Sequence, residues 1–161
     1  MNPATAQAAP VPATTSRRDR LSQDTTALFA YGTLQFDAVL EALIGRIPHR
    51  TAASAPGWRA ASLKGRVYPG LVPAAGSAAS GLLLTDLSRR ERAILDAFED
   101  DRYDLRKLML TCGSHGFAYV WPDGEVREEN WSAQQFRTCH LQEYAARCAR
   151  LAPGLAAEAD R

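Results

Sequence analysis

The stretch from Leu28 to Asp37, LFAYGTLQFD, decides how this chain folds. Ala27 to Tyr31 is a short apolar run that suits a buried strand and ends on a glycine turn. From Asp37 to Ile44, Val39, Leu40, Leu43 and Ile44 recur at helical spacing, with Phe36 just ahead of them. Gly45 stands where a helix ends on a left-handed glycine, and Thr33 or Asp37 is the expected N-cap. A strand, a glycine turn and a helix start in succession leave unpaired backbone N–H groups around Tyr31-Gly32-Thr33-Leu34. Such a turn is either plain punctuation or a place that holds a carboxylate or phosphate. The full glycine patterns of dinucleotide and nucleoside-triphosphate loops are absent, so nucleotide binding is not indicated.

The chain around this stretch has 161 residues, 46% of them hydrophobic, and a formal net charge of +1. That length supports one domain with a core of its own. A near-balanced charge with no basic stripe offers no footprint for nucleic acid or a membrane surface. No apolar stretch approaches the length of a bilayer span. Cys112, Cys139 and Cys148 are odd in number and lack metal-ligand spacing, which fits free thiols in a reducing compartment. Residues 1–26, rich in Ala, Pro and Thr, read as a disordered tail. No apolar segment follows Arg17-Arg18, so export is not expected and the cytoplasm is the expected location. The acid-poor composition of the tail also fits an organelle transit peptide. Residues 152–161 are expected to fray, leaving 27–151 as the folded domain.

Within that domain the texture changes after Pro56. Trp58 to Leu63, Val67 to Val72 and Gly81 to Leu84 are short runs broken by Gly and Pro, which is strand-and-turn chemistry. Pro69 and Pro73 place the middle run at a sheet edge or in a loop. Ser88-Arg89-Arg90-Glu91 matches a capping box and starts a helix that runs to about Phe98. Leu105 to Leu110 and Phe117 to Trp121 read as a strand pair joined by Cys112-Gly113-Ser114-His115-Gly116, with a further turn at Pro122-Asp123-Gly124. Ala133 to Leu151 reads as one helix, with Phe136, His140, Tyr144, Cys148 and Leu151 along one stripe. This order is not a regular strand–helix alternation. It implies an α+β fold with a small curved sheet flanked by helices.

Chemistry gathers in LDAFEDDRYD, where Asp96, Glu99, Asp100, Asp101 and Asp104 fall close together. Most such clusters are solvated helix ends. Glu99 differs because it follows Phe98 at the C-terminal end of the capped helix. The negative end of the helix dipole, the neighbouring aspartates and partial burial all push its carboxyl pKa upward. A carboxyl so tuned can take and give a proton near neutrality. His49, His115 and His140 have no paired spacing, so no metal is expected, and no hydrolase serine elbow is present. Cys112 precedes a glycine turn with nothing basic beside it to lower its pKa.

The ordered set FAYGTL, SLKGRVYPGLVPA, SGLLLTDLS and ILDAFEDDRYD resembles the gamma-glutamylcyclotransferase-like superfamily, in particular its plant avirulence-induced-gene (AIG2-like) branch. The resemblance spans roughly Leu28 to Leu151. It implies a small mixed β-barrel flanked by helices and a reaction that needs no cofactor. In that reaction the α-amine of a γ-glutamyl amine, amino acid or peptide attacks its own γ-carbonyl and releases 5-oxoproline. Glu99 matches the general acid–base of that family. Tyr31, Gly32, Thr33 and Leu34, with Gln35 beside them, match its substrate loop, whose backbone donors hold the α-carboxylate. Tyr103 and Tyr119 fall where pocket tyrosines are placed, and each also fits a core strand aromatic. Asp100 stands where the family commonly has glycine, and Leu105 where it often has arginine, with Arg106 one step later. Residues 46–57 and 74–80, read as loops, are expected to shape the far wall. The competing reading is a small-molecule-binding or regulatory protein of the same fold without turnover. A third is an interaction module docking through its last helix.

Overall fold

The computed structural model describes residues 20–21, 27–122 and 124–161, with Cys112 described by its backbone alone. The order is β1 (Leu28–Ala30), a 3-10 turn (Thr33–Gln35), α1 (Asp37–Ile44), β2 (Arg50–Ala61), β3 (Gly70–Leu84) and α2 (Arg89–Phe98). There follow β4 (Asp104–Met109), a 3-10 turn (Thr111–Gly113), β5 (His115–Val120), α3 (Ala133–Cys139) and α4 (Leu141–Ala159). The five strands form one mixed sheet in the order β2-β3-β1-β5-β4, so the fold is α+β. β1 runs antiparallel to β3 and parallel to β5. Where β1 stops, β3 and β5 meet directly at Leu71 and Val120, which curls the sheet towards a small barrel.

Period-two alternation sorts the strand residues between two cores. Leu28 and Ala30 face the helices with Leu84, Val39, Leu40 and Leu95. Phe29 and Tyr31 point the other way, inside the curl, with Leu71, Leu83, Ala118 and Val120. Each large apolar side chain sealed in this way contributes about 1.5–3 kcal/mol. β1 is therefore the shared wall of both cores, which is why so short a strand holds its place.

Local rules account for the two helices beside β1. In α1, Gly45 adopts φ 77° and its N–H bonds the carbonyl of Glu41, the expected glycine stop. Its N-cap is Phe36, without a side-chain cap, and neither Thr33 nor Asp37 takes that role. Thr33 is committed to the 3-10 turn, and Asp37 lies inside the helix and pairs with Arg50 at 3.1 Å. In α2 the capping box is complete: Glu91 N–H donates to Ser88 Oγ at 3.1 Å, and Ser88 N–H donates to Glu91 Oε1 at 2.9 Å.

Several expectations are corrected. Of residues 46–57 and 74–80 only 46–49 are loop, because β2 and β3 form one long hairpin from Arg50 onward, with Ser54 opposite Ser80 and Pro56 opposite Ala78. A register shift between Pro56 and Trp58 absorbs the Pro-Gly pair. Pro73 sits inside β3 opposite Trp58, in a stretch whose described pairing is to β2 alone, so no ladder bond on the other side is lost. The helix expected over 133–151 is broken at His140, with φ −131°. Residues 152–161 are not frayed either, since α4 continues through Pro153 to Ala159. Leu155 packs on the core, and Asp160 receives two hydrogen bonds from Arg90, at 2.8 and 3.1 Å. Those contacts outweigh the weak helix propensity of Pro153-Gly154. Most of the expected tail and Asp123 of the Pro122–Gly124 turn lie outside the described residues. Arg20 and Leu21 are described, and Arg20 is buried.

Candidate active site

The site forms where β1 ends. Gly32 opens the 3-10 turn, and a Cβ there would stand 3.0 Å from Pro69 Cγ, so any larger residue has to push the Pro69 ring back by a few tenths of an ångström. The turn closes through Gln35 N–H to the Gly32 carbonyl at 3.1 Å and Phe36 N–H to the Thr33 carbonyl at 3.3 Å. Among the described residues, these turn bonds leave the N–H groups of Gly32, Thr33 and Leu34 without a backbone acceptor. They border a cavity of about 30 Å³ lined by residues 28–34, Tyr68, Pro69, Glu99, Tyr103 and Tyr119. The N–H-rich turn and the carboxyl of Glu99 thus share one small space.

Glu99 is the C-cap of α2, with φ −70° and ψ 146°, so the chain leaves the helix at this residue. The whole residue is partly exposed, but its carboxyl is withdrawn from water. Burial pushes its pKa from 4.5 up to about 8, against the cations Arg20 and Arg92 and with help from Asp96 and Asp100. Sequence reasoning named the burial and the aspartates but not the two arginines. Arg92 is 2% exposed on α2, and Arg20 comes from the N-terminal stretch that composition marks as a tail.

The tyrosines have specific duties. Tyr31 hydroxyl donates to the Tyr119 carbonyl and accepts from Leu71 N–H at 3.2 Å. It therefore bridges β5 and β3 just past the end of β1, where those strand groups lose their partner. Tyr103 hydroxyl donates to the Pro69 carbonyl at 2.5 Å. Tyr119 hydroxyl donates to Asp96 Oδ1 at 2.5 Å and accepts from Arg92 at 3.0 Å. Burial raises all three phenols above their ordinary pKa, so each stays protonated and holds its acceptor. They line the cavity while their hydroxyls stitch its walls. Gln35 is expected in the substrate loop but does not line the cavity. Its side-chain amide donates to the Tyr31 carbonyl at 2.6 Å and the Gly32 carbonyl at 3.2 Å, bracing the turn from behind.

A second, wider cavity of about 300 Å³ also contains Tyr68, Glu99 and Tyr103, and opens outward past Phe98, Asp100, Tyr144, Arg147, Leu151 and Leu155. Its outer wall is α4, a helix that the sequence pattern alone does not assign to the site. Tyr144 is a residue that sequence reasoning missed here: its hydroxyl lies 3.3 Å from Thr33 Oγ1, and its ring stacks edge-on to Phe98 and Phe136. The helical stripe of Tyr144, Arg147 or Cys148, Leu151 and Leu155 was the available signal. The expected far wall, residues 46–57 and 74–80, lines neither cavity. Asp100, in place of the family's usual glycine, accepts from Tyr68 hydroxyl at 2.7 Å and stands 3.5 Å from Arg66. Burial opposes its charge, but the bonds from Tyr68, Arg102 N–H and Arg66 win and hold its pKa below the ordinary value. Arg106 is turned away, stacked 5.6 Å from the Trp58 ring. Among the described residues no cluster of His, Cys, Asp and Glu is grouped to hold a metal ion, and no helix is long and apolar enough to cross a membrane.

Known proteins resemble this chain in sequence and in fold. Residues 28–137 match the family described as gamma-glutamyl cyclotransferase, AIG2-like. AIG2-like protein D of Arabidopsis thaliana is 32% identical over 124 residues, covering 72% of this chain and 82% of the relative. AIG2-like protein C of the same plant is 37% identical over 116 residues, covering 65% of this chain and 67% of the relative. The solution structure of At5g39720.1 from Arabidopsis thaliana superimposes with a TM-score of 0.59 at 24% identity, over 80% of this chain and 91% of that one. That of At3g28950.1 gives 0.60 at 20% identity, over 81% and 83%. These two structures speak for the fold alone. With the family match covering the first turn, the capped helix and all five strands, the chain belongs to the AIG2-like gamma-glutamyl cyclotransferase family.

Proposed function

We propose that this protein is a γ-glutamyl cyclotransferase in which Glu99 is the general acid–base. The observation that carries this reading is one shared cavity, with a desolvated carboxyl of pKa about 8 facing a turn whose N–H groups are unspent. The donor's α-carboxylate accepts hydrogen bonds from the N–H groups of Gly32, Thr33 and Leu34. This directs its α-ammonium towards Glu99. The carboxylate removes one ammonium proton, and the freed amine nitrogen attacks the γ-carbonyl carbon. A C–N bond forms and closes the five-membered lactam. The γ-amide C–N bond then breaks, and Glu99-H delivers its proton to the departing amine. The ring nitrogen sheds its second proton, which Glu99 relays to the released amine so that it departs as an ammonium; both protons and the electron pair of the broken bond are then accounted for, and Glu99 returns to carboxylate. A pKa of about 8 suits both halves, since the group must take a proton from an ammonium and return it to an amine.

Turnover also draws on positioning. The buried tyrosines fix the walls, so amine and carbonyl meet as neighbours rather than as solutes. The leaving group extends into the wider cavity, between the ring of Phe98 and the α4 side chains Arg147, Leu151 and Leu155. The test is 5-oxoproline release, followed by mass spectrometry, from a panel of γ-glutamyl amines, amino acids and peptides. Wild type releases product, and Glu99→Gln keeps its fold and releases none above background. A fully active Glu99→Gln variant rules out the mechanism. Ligand-dependent melting shifts without product from any donor favour the binding-protein reading instead.

A further inference from the structure

Arg20 lies outside the family match, which begins at residue 28, and it is one of the most buried side chains in the molecule. Its residue exposure is 3%, and its side chain is fully enclosed. One guanidinium nitrogen, Nη1, donates to the carbonyls of Asp100 at 3.0 Å and Tyr103 at 3.1 Å. The other, Nη2, donates to the Asp96 carbonyl at 3.0 Å. Nε lies 3.0 Å from Asp96 Oδ1, an ion pair rather than an aligned hydrogen bond. The guanidinium also sits 5.3 Å from the centre of the Tyr119 ring. Four partners are thus drawn from the last turn of α2 and the residues just beyond it.

Those partners bracket Glu99 on both sides. The end of a helix carries orphan carbonyls and the negative pole of its dipole. α2 has no basic residue in its own last turn to answer that charge. Arg20 supplies the cation from a distant part of the chain and ties the Asp96 carbonyl of the last turn to the Asp100 and Tyr103 carbonyls beyond the helix. It lines neither cavity, so it backs the site rather than blocking it. We propose that Arg20 is a positioning residue of this site, capping α2 from behind so that the Glu99 carboxyl is held facing the Tyr31–Leu34 turn. This inference rests on the reading of Glu99 as general acid–base. The cap itself is a separate geometric fact.

Arg20 is one of several charged and titratable groups around Glu99. Arg92 and Asp96 face it from α2, Asp100 from the loop beyond, Tyr31 from the first turn, Tyr103 and Tyr119 from the β4–β5 side, and Tyr144 and Cys148 from α4. Of these, Arg20 and Arg92 favour the carboxylate. Removing Arg20 therefore disturbs both the place of Glu99 and its proton affinity, with Arg92 left as the remaining cation.

The experiment compares full-length wild type, Arg20→Ala and Arg20→Lys. It measures 5-oxoproline release against pH and titrates the Glu99 carboxyl by carbon-13 NMR, assigned with Glu99→Gln. In Arg20→Ala, kcat falls by about 10²-fold with KM little changed, and the Glu99 midpoint rises by about one pH unit. Millimolar guanidinium, filling the vacated space, restores part of the loss. Arg20→Lys keeps the charge but not the three-carbonyl fork, so kcat falls while the midpoint stays near its wild-type value. If Arg20→Ala does not fold, the lysine variant carries the test, and wild-type kcat in it overturns the proposal. An unchanged midpoint and no guanidinium rescue in a folded Arg20→Ala also overturn it, because Arg20 then serves stability alone. If wild type releases no 5-oxoproline, the functional reading fails, and the NMR midpoint still decides whether Arg20 acts on Glu99.

Discussion

Asp96 and Glu99 stand one turn apart on the same helix end, and the fold treats them in opposite ways. Asp96 is 2% exposed and pinned on one oxygen, where Arg20 at 3.0 Å and the Tyr119 hydroxyl at 2.5 Å meet. Glu99 faces the cavity and the unspent N–H groups of the first turn, and burial drives its pKa up to about 8. One carboxylate anchors the helix end, and the other is left poised to exchange a proton. Residue type and neighbourhood in sequence are nearly the same for both. The difference lies in which long-range partners reach each side chain.

The largest expected effect breaks this pair apart through chemistry. Glu99→Gln lowers 5-oxoproline release by about 10³-fold or more, while Asp96→Asn acts first on stability. Asp96→Asn leaves the Arg20 guanidinium buried without its acidic counterpart, at a cost of about 3–5 kcal/mol in denaturant unfolding. Glu99→Gln has the reverse sign. The folded-state pKa of Glu99 is raised from 4.5 to about 8, so its contribution to stability is complete below about pH 4.5 and is lost as pH rises through about 8. A glutamine carries no such loss. Glu99→Gln is therefore more stable than wild type at pH 9, by up to about 5 kcal/mol, and equal to it near pH 4. Two neighbouring amide substitutions that shift stability in the same direction at pH 9 contradict the comparison.

Smaller effects sharpen it. Tyr31→Phe leaves Leu71 N–H and the Tyr119 carbonyl without the hydroxyl that bridges them, a loss of about 2 kcal/mol in stability. Arg147→Ala, at the exposed mouth of the wider cavity, raises KM by up to about fivefold for donors whose leaving group ends in a carboxylate. It leaves KM unchanged for γ-glutamyl amines without one. An equal effect on both donor types removes Arg147 from leaving-group recognition.

The inner half of the site was legible in the sequence because local rules write it. An apolar run meeting Gly32 announces a strand end, and Ser88 with Glu91 announces the helix that delivers Glu99. The outer half was not legible, because tertiary contacts write it. Composition makes the region around Arg20 look uncommitted, yet a single buried guanidinium reaches three carbonyls from there. Pro153-Gly154 signals a helix stop, yet packing at Leu155 and the Arg90–Asp160 pair carry α4 onward. The β2–β3 hairpin was hidden for a related reason. Alanine, serine, proline and glycine dominate its outer part and carry little strand signal, so long pairing with a register shift replaces side-chain pattern.

The most direct test of the acid–base role of Glu99 is to overlay two titrations of the wild-type protein: kcat/KM for 5-oxoproline release against pH, and the Glu99 carboxyl signal by NMR. Both should turn at the same midpoint near pH 8, with kcat/KM rising as the carboxylate forms. A Glu99 midpoint near its ordinary 4.5, or a rate profile that ignores the observed midpoint, contradicts the account.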